Sequence, residues 1–169
     1  KRCGHMEGKR VISTEEHVEK IRASVYARGD NDLVIVARTD AIAPEGFDEA
    51  VRRGRAYSEA GADVVFVEAP RTIDELKVVA GSFEVPVFAN MIEGGKTPFL
   101  NGDELTKIGF SIAIYPITTL LASTKTIQHA LNQLRTNTEI SPQDIASFSD
   151  LHDISGLDEY LTDARVKNN

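Results

Sequence analysis

Residues 33–40 read LVIVARTD. The first five are aliphatic and largely β-branched, and the run then breaks at once into Arg38, Thr39 and Asp40. Such a run reads as a strand buried on both faces, which belongs in a parallel sheet covered by helices. The flanking sequence supplies the helices. Upstream, Ser13 can cap a helix, with Glu16 three residues on completing a capping box. Val18, Ile21 and Val25 mark one helical face, and Gly29 stands where a left-handed cap is expected. Downstream, Phe47, Ala50, Val51 and Tyr57 make a helix that ends near Gly61, before the strand DVVFV (63–67).

The cycle repeats. Ile73, Leu76 and Val79 suit a short helix before VPVFA (85–89); Leu105 and Ile108 precede Gly109 and the strand FSIAI (110–114). A longer helix follows, with Ile117, Leu120, Leu121, Ile127, Leu131 and Leu134 at helical spacing. Strands separated by helices imply right-handed crossovers and an α/β fold with a parallel sheet. Beyond Arg135, TNTEISPQD reads as a linker and LHDISGLDEYL as a short helical tail. Four βα units do not close a barrel, which takes roughly 250 residues. The choice lies between the second half of a (β/α)8 barrel and a small open sheet. The chain starts without Met, inside what reads as a functional loop, which favours the half barrel and an N-terminal portion preceding it.

Composition narrows the function. A net charge of -7 argues against a generic nucleic-acid or anionic-membrane binder, which needs a basic face. No apolar run approaches the ~18 residues of a membrane span. The single Cys excludes an internal disulfide and fits a reducing compartment; the cytoplasm is the default location.

Each predicted strand ends on polar or ring-bearing residues: Arg38-Thr39-Asp40, Glu68, Asn90 and Tyr115-Pro116. Parallel α/β folds place their chemistry at these carboxyl ends. Arg38 offers a planar two-point donor suited to a carboxylate, or else an ion pair with Asp40 or a neighbouring strand's acid. Glu68 could pair with Arg38 across adjacent strands and fix its direction. Asn90 provides a donor and an acceptor for a carboxylate or enolate oxygen, or is a turn former. The lone Cys3 is either a small buried hydrophobe or a reactive thiol. Its neighbours Lys1, Arg2, Gly4 and His5 make poor core, and nearby cations lower a thiol's pKa. His5 could tune the thiol, bind a carboxylate or simply be exposed. EGGKTP (93–98) is not a phosphate loop, because Asn90 stands where that motif needs glycine and Pro98 disfavours the following helix. His17, His129 and His152 lie apart, form no zinc spacing with Cys3, and read as surface positions.

KRCGH with EGK, then VIVARTDA, GADVVFVEAP, VPVFANMIEGGKTP and IYPITTLLA, resembles the isocitrate lyase and phosphoenolpyruvate mutase superfamily in order and spacing. Within it the likeness is to methylisocitrate lyase, 2,3-dimethylmalate lyase and oxaloacetate hydrolase. The resemblance implies a (β/α)8 barrel whose last helix is exchanged between the subunits of a homo-oligomer. Residues 1–135 would be the C-terminal half of that barrel, with a gating loop at 1–10, and 136–169 a linker and tail docking on a neighbouring subunit. It implies Mg²⁺, whose aspartate ligands lie on strands before KRCGH, so that no metal ligand falls in this chain. It implies retro-aldol cleavage of a 2-hydroxy or 2-oxo acid, with Cys3 as general acid and Gly4 and His5 meeting the substrate through the closed loop. Arg38, Glu68 and Asn90 would hold the substrate. The cysteine favours C–C cleavage over phosphoryl migration. Leu121 stands where methylisocitrate-type enzymes carry arginine, and Ile92 where they carry a hydroxyl residue, so the implied substrate is a dicarboxylate of substituted malate or oxaloacetate type. The alternatives are an oxaloacetate hydrolase or decarboxylase, a phosphonopyruvate-type enzyme, and a non-catalytic half barrel that binds acids or a partner.

Overall fold

A computed structural model describes residues 8–166. It divides into two compact units, the first ending at Thr118 and the second beginning at Thr119. The first unit runs α1 (Thr14–Arg28), β1 (Val36–Thr39), α2 (Ile42–Glu45), α3 (Phe47–Glu59), β2 (Val64–Val67), α4 (Ile73–Ala80), β3 (Val87–Asn90), α5 (Gly102–Ile108) and β4 (Ile112–Ile114). The four strands are parallel and lie in the order β1-β2-β3-β4. This is the architecture of half a (β/α)8 barrel, followed by a helical tail.

Local signals account for the elements. The Ser13 hydroxyl accepts from the Glu16 N–H at 3.1 Å, Thr72 caps α4 in the same way, and Asn101 with Glu104 forms a full capping box on α5. Gly29 closes α1 at a positive φ of 53°, but with ψ at -131° rather than in the left-handed helical region.

Alternation along the strands sends side chains to two faces. Val65, Val67, Val87 and Ala89 join Ala50, Leu76, Val79 and Leu105 in the main core, between the sheet and its helices. A smaller cluster of Ile21, Ala37, Tyr57 and Ala62 fastens α1 and α3 to β1. β2 is buried along its whole length and β3 at Val87 and Ala89, whereas the LVIVA run, expected to be buried on both faces, is largely not. The observed strand starts at Val36, with Leu33 62%, Val34 61% and Val36 43% exposed. The cause is position: among the described residues β1 is an outer strand, so one flank has no neighbour to cover it.

Gly54 marks the closest approach of helix to sheet. A Cβ there would lie 2.6 Å from Phe83 Cε1 and Cζ and 3.1 Å from Val65 Cγ1. Gly54→Val is expected to destabilise the fold by about 2 kcal/mol, the typical cost of forcing extra volume into a packed core. A lower urea midpoint with an unchanged slope would show it; an unchanged midpoint would mean that the contact yields freely.

In the second unit, α6 (Thr118–Arg135) is followed by a 3-10 turn (Pro142–Asp144), α7 (Phe148–Ser155) and α8 (Leu157–Val166). Ser147 and Asp150 form a capping box on α7, and Gly156 ends it in the left-handed conformation. Leu131, Leu134, Phe148 and Ile154 are all exposed.

Candidate active site

The strand register gathers the chemistry. Arg38 pairs with Phe66, Phe66 with Phe88, and Phe88 with Ile112, which sets these four side chains in a row on one face of the sheet. Two residues further along the strands come Asp40, Glu68, Asn90 and Ile114. Arg38, Glu68 and Asn90 therefore meet at the carboxyl ends of β1, β2 and β3.

Arg38 forms both of the ion pairs that its position allows, one with Asp40 and one with the neighbouring strand's acid. Its Nε donates to Asp40 Oδ1 at 2.6 Å and its Nη2 to Asp40 Oδ2 at 3.1 Å, a side-on bidentate grip. The same Nη2 lies 3.1 Å from Glu68 Oε2, and the guanidinium carbon stands 4.8 Å from the centre of the Phe66 ring. Phe66 rests in turn on Phe88, with ring centres 4.8 Å apart. The guanidinium is thus oriented by two carboxylates and an aromatic floor.

Glu68 is the most buried acid of the group, its side chain only 1% exposed. A carboxylate so placed needs compensation. Arg38 supplies charge, and Asn90 Nδ2 donates to Oε1 and Oε2 at 3.4 and 3.3 Å. This fixes the amide: Nδ2 faces Glu68, and the buried Asn90 Oδ1 has no hydrogen-bond partner among the described residues. The backbone turns sharply just beyond, with Ala69 at φ 61° ahead of Pro70. A non-glycine residue in that region carries strain of roughly 1–2 kcal/mol, and such strain clusters at functional sites.

Burial alone would push the Asp40 carboxyl up. The hydrogen bonds and charges of Arg38 and then Lys9 outweigh it and hold Asp40 below the ordinary carboxylate range, so it is ionised at neutral pH. Lys9 Nζ reaches Asp40 Oδ2 at 3.2 Å.

A cavity of about 780 Å³ opens along the outer strand β1, with Lys9, Arg38, Asp40, His17, Arg53 and Tyr57 in its wall; Glu68 and Asn90 do not line it. His17 is not the surface residue its sequence context suggests. It is half-buried and packs on Tyr57 with ring centres 4.5 Å apart. Burial, then the charges of Lys20 and Arg53, lower its pKa and favour the neutral ring. His129 and His152 are exposed, as expected.

Sequence reasoning passed over Lys9 and Arg53. Arg53 is 5% exposed, donates to the Ile12 carbonyl at 2.8 Å, and pairs with Glu45 at 2.8 Å and Glu49 at 3.1 Å. It ties the segment ahead of α1 to α2 and α3. The available signal was spacing, since Arg53 stands three residues after Ala50 and four before Tyr57, on the buried face of α3. Cys3, Gly4 and His5 lie outside the described residues.

Parallel β/α repeats with an arginine-centred acid cluster at the strand ends define the class: a barrel-type α/β fold with charged residues gathered where such folds place their chemistry. The family profile described as phosphoenolpyruvate phosphomutase matches residues 2–135. The chain is 41% identical over 161 residues to 2,3-dimethylmalate lyase of Eubacterium barkeri, covering 94% of this chain and 56% of that protein. Among solved structures, oxaloacetate acetylhydrolase in complex with 3,3-difluorooxalacetate aligns with a TM-score of 0.91 at 31% identity, covering 100% of this chain and 58% of that one. Phosphonopyruvate hydrolase, in complex with oxalate and Mg²⁺, aligns with a TM-score of 0.76 at 28% identity, covering 96% and 60%. The chain belongs to the phosphoenolpyruvate mutase/isocitrate lyase superfamily. It spans about half the length of the curated relatives it matches.

Proposed function

We propose that this chain serves a carbon–carbon lyase acting on a 2-hydroxy or 2-oxo dicarboxylate of substituted malate or oxaloacetate type. The observation that carries the reading is Arg38: a guanidinium oriented by Asp40, Glu68 and Phe66 at a strand end. In this reading Arg38 binds a substrate carboxylate, while Glu68 and Asn90 complete the pocket. The unpartnered Asn90 Oδ1 is an acceptor for a donor group of the ligand. Cys3 is the general acid of a gating loop at 1–10, with Gly4 and His5 meeting the ligand when the loop closes. On cleavage of a 2-hydroxy acid, the hydroxyl gives up its proton to a base and its oxygen becomes the carbonyl of one fragment, the electron pair of the broken C–C bond leaves with the other fragment, and the Cys3 thiol supplies that fragment's proton.

Mg²⁺ supplies charge neutralisation in relatives that bind it, but the described residues do not fit a Mg²⁺ site. They bring no three His, Cys, Asp or Glu side chains together, and Asp40 and Glu68 are both engaged by Arg38. In this reading the metal ligands come from outside this chain. The 136–169 tail docks on a neighbouring subunit of a homo-oligomer, which the exposed Phe148 and Ile154 support.

The test is product analysis with the full-length natural protein and Mg²⁺. Cleavage of 2,3-dimethylmalate or oxaloacetate is expected to be faster than cleavage of 2-methylisocitrate, because Leu121 and Ile92 leave a third carboxylate without a partner. A preference for 2-methylisocitrate would sink the dicarboxylate assignment. A second reading, hydrolysis of oxaloacetate, is favoured by the fit to oxaloacetate acetylhydrolase. Oxalate plus acetate would establish it; pyruvate plus CO₂ would show decarboxylation instead.

A further inference from the structure

We infer that Lys9 is a positioning residue for the Arg38 site, one that neutralises Asp40 so that Arg38 retains its attraction for an anionic ligand. This rests on the proposed role of Arg38. Arg38 is held by two carboxylates, and that arrangement creates a difficulty. Asp40 and Glu68 both draw on the guanidinium, and their negative charge opposes its attraction for the anion it is meant to bind. Lys9 resolves the conflict. Its Nζ donates to Asp40 Oδ2, the same oxygen that accepts from Arg38 Nη2. Its side chain is only 5% exposed, and lysine is almost never so buried without a paired charge. Lys9 thus sets a second cation against Asp40. Arg38 keeps its orientation from Asp40 without losing its field to it.

The experiment compares Lys9→Met and Lys9→Arg with wild type in the full-length natural protein. It reads the Kd of oxalate, a dianion, and of oxamate, a monoanion of similar shape, with thermal melting as a check on folding. Lys9→Met is expected to weaken oxalate about tenfold and oxamate about threefold, since the lost attraction scales with ligand charge. The loss should shrink at high salt. Lys9→Arg, which keeps the charge, should stay within about threefold of wild type. Equal losses for both ligands, or an unchanged oxalate Kd, would overturn the inference while leaving Arg38 as the carboxylate site. A wild-type protein that does not bind oxalate would overturn the Arg38 reading and this inference with it. If Lys9→Met does not fold, Lys9→Gln, with a polar end in the same buried place, is read in the same way.

Discussion

Arg38→Met is expected to lower kcat/KM by about a hundredfold or more, mainly through KM. Charge-assisted hydrogen bonds contribute about 1.5–3 kcal/mol each, and methionine loses both the fork and the charge. The same change also destabilises the fold, and the two effects must be separated. Glu68, 1% exposed, would lose the guanidinium beside it, and the bonds from Asn90 are long, at 3.3 and 3.4 Å. An uncompensated buried carboxylate costs several kcal/mol and relieves the cost by taking up a proton. Arg38→Met should therefore lower the melting temperature. The double variant Arg38→Met, Glu68→Gln removes the orphaned charge and should recover much of the stability without recovering kcat/KM. Recovery of both would assign Arg38 a structural role alone. Arg38→Lys keeps the charge but cannot span Asp40 and Glu68 with one rigid fork, and should fall between wild type and Arg38→Met.

The contrast between Arg38 and Lys9 shows what a sequence makes legible. Arg38, Glu68 and Asn90 could be read because each follows an apolar strand, and a parallel sheet aligns strand ends whatever the loops do. The alignment is borne out by register: Arg38 beside Phe66, Phe66 beside Phe88. Lys9 belongs to no periodic element. Its bond to Asp40 spans 31 residues and depends on how the segment ahead of α1 crosses the strand end. Nothing local encodes that path. Arg53 was hidden differently, as a charge on a helix face that otherwise reads as apolar, tolerated because Glu45, Glu49 and the Ile12 carbonyl surround it. β1 shows the opposite error. Its sequence has the composition of a strand buried on both faces, yet Val36 is 43% exposed because burial depends on what lies beside the strand and not on the strand alone.

Cys3→Ser in the full-length natural protein is expected to reduce turnover by about 10²–10⁴-fold, the range that a positioned general acid supplies, with oxalate affinity little changed. Cys3 lies outside the described residues. Lys1, Arg2 and His5 stand within two residues of the thiol, and nearby cations favour the thiolate and lower its pKa. A thiol tuned toward neutrality is an effective proton donor there; a serine hydroxyl has similar size but is a far weaker acid. Serine should therefore leave ligand binding at Arg38 intact and fail at the proton transfer. The pH profile separates this from a packing role. In wild type, kcat should fall as pH rises through the thiol's pKa, because the acid must be protonated to act. In Cys3→Ser that limb should be absent from whatever turnover remains. A serine variant with full kcat, or one that keeps the same alkaline limb, would assign the proton to another donor. His5 would be the next residue to change: it is the nearest titratable group in the same stretch whose ordinary pKa lies close to neutral.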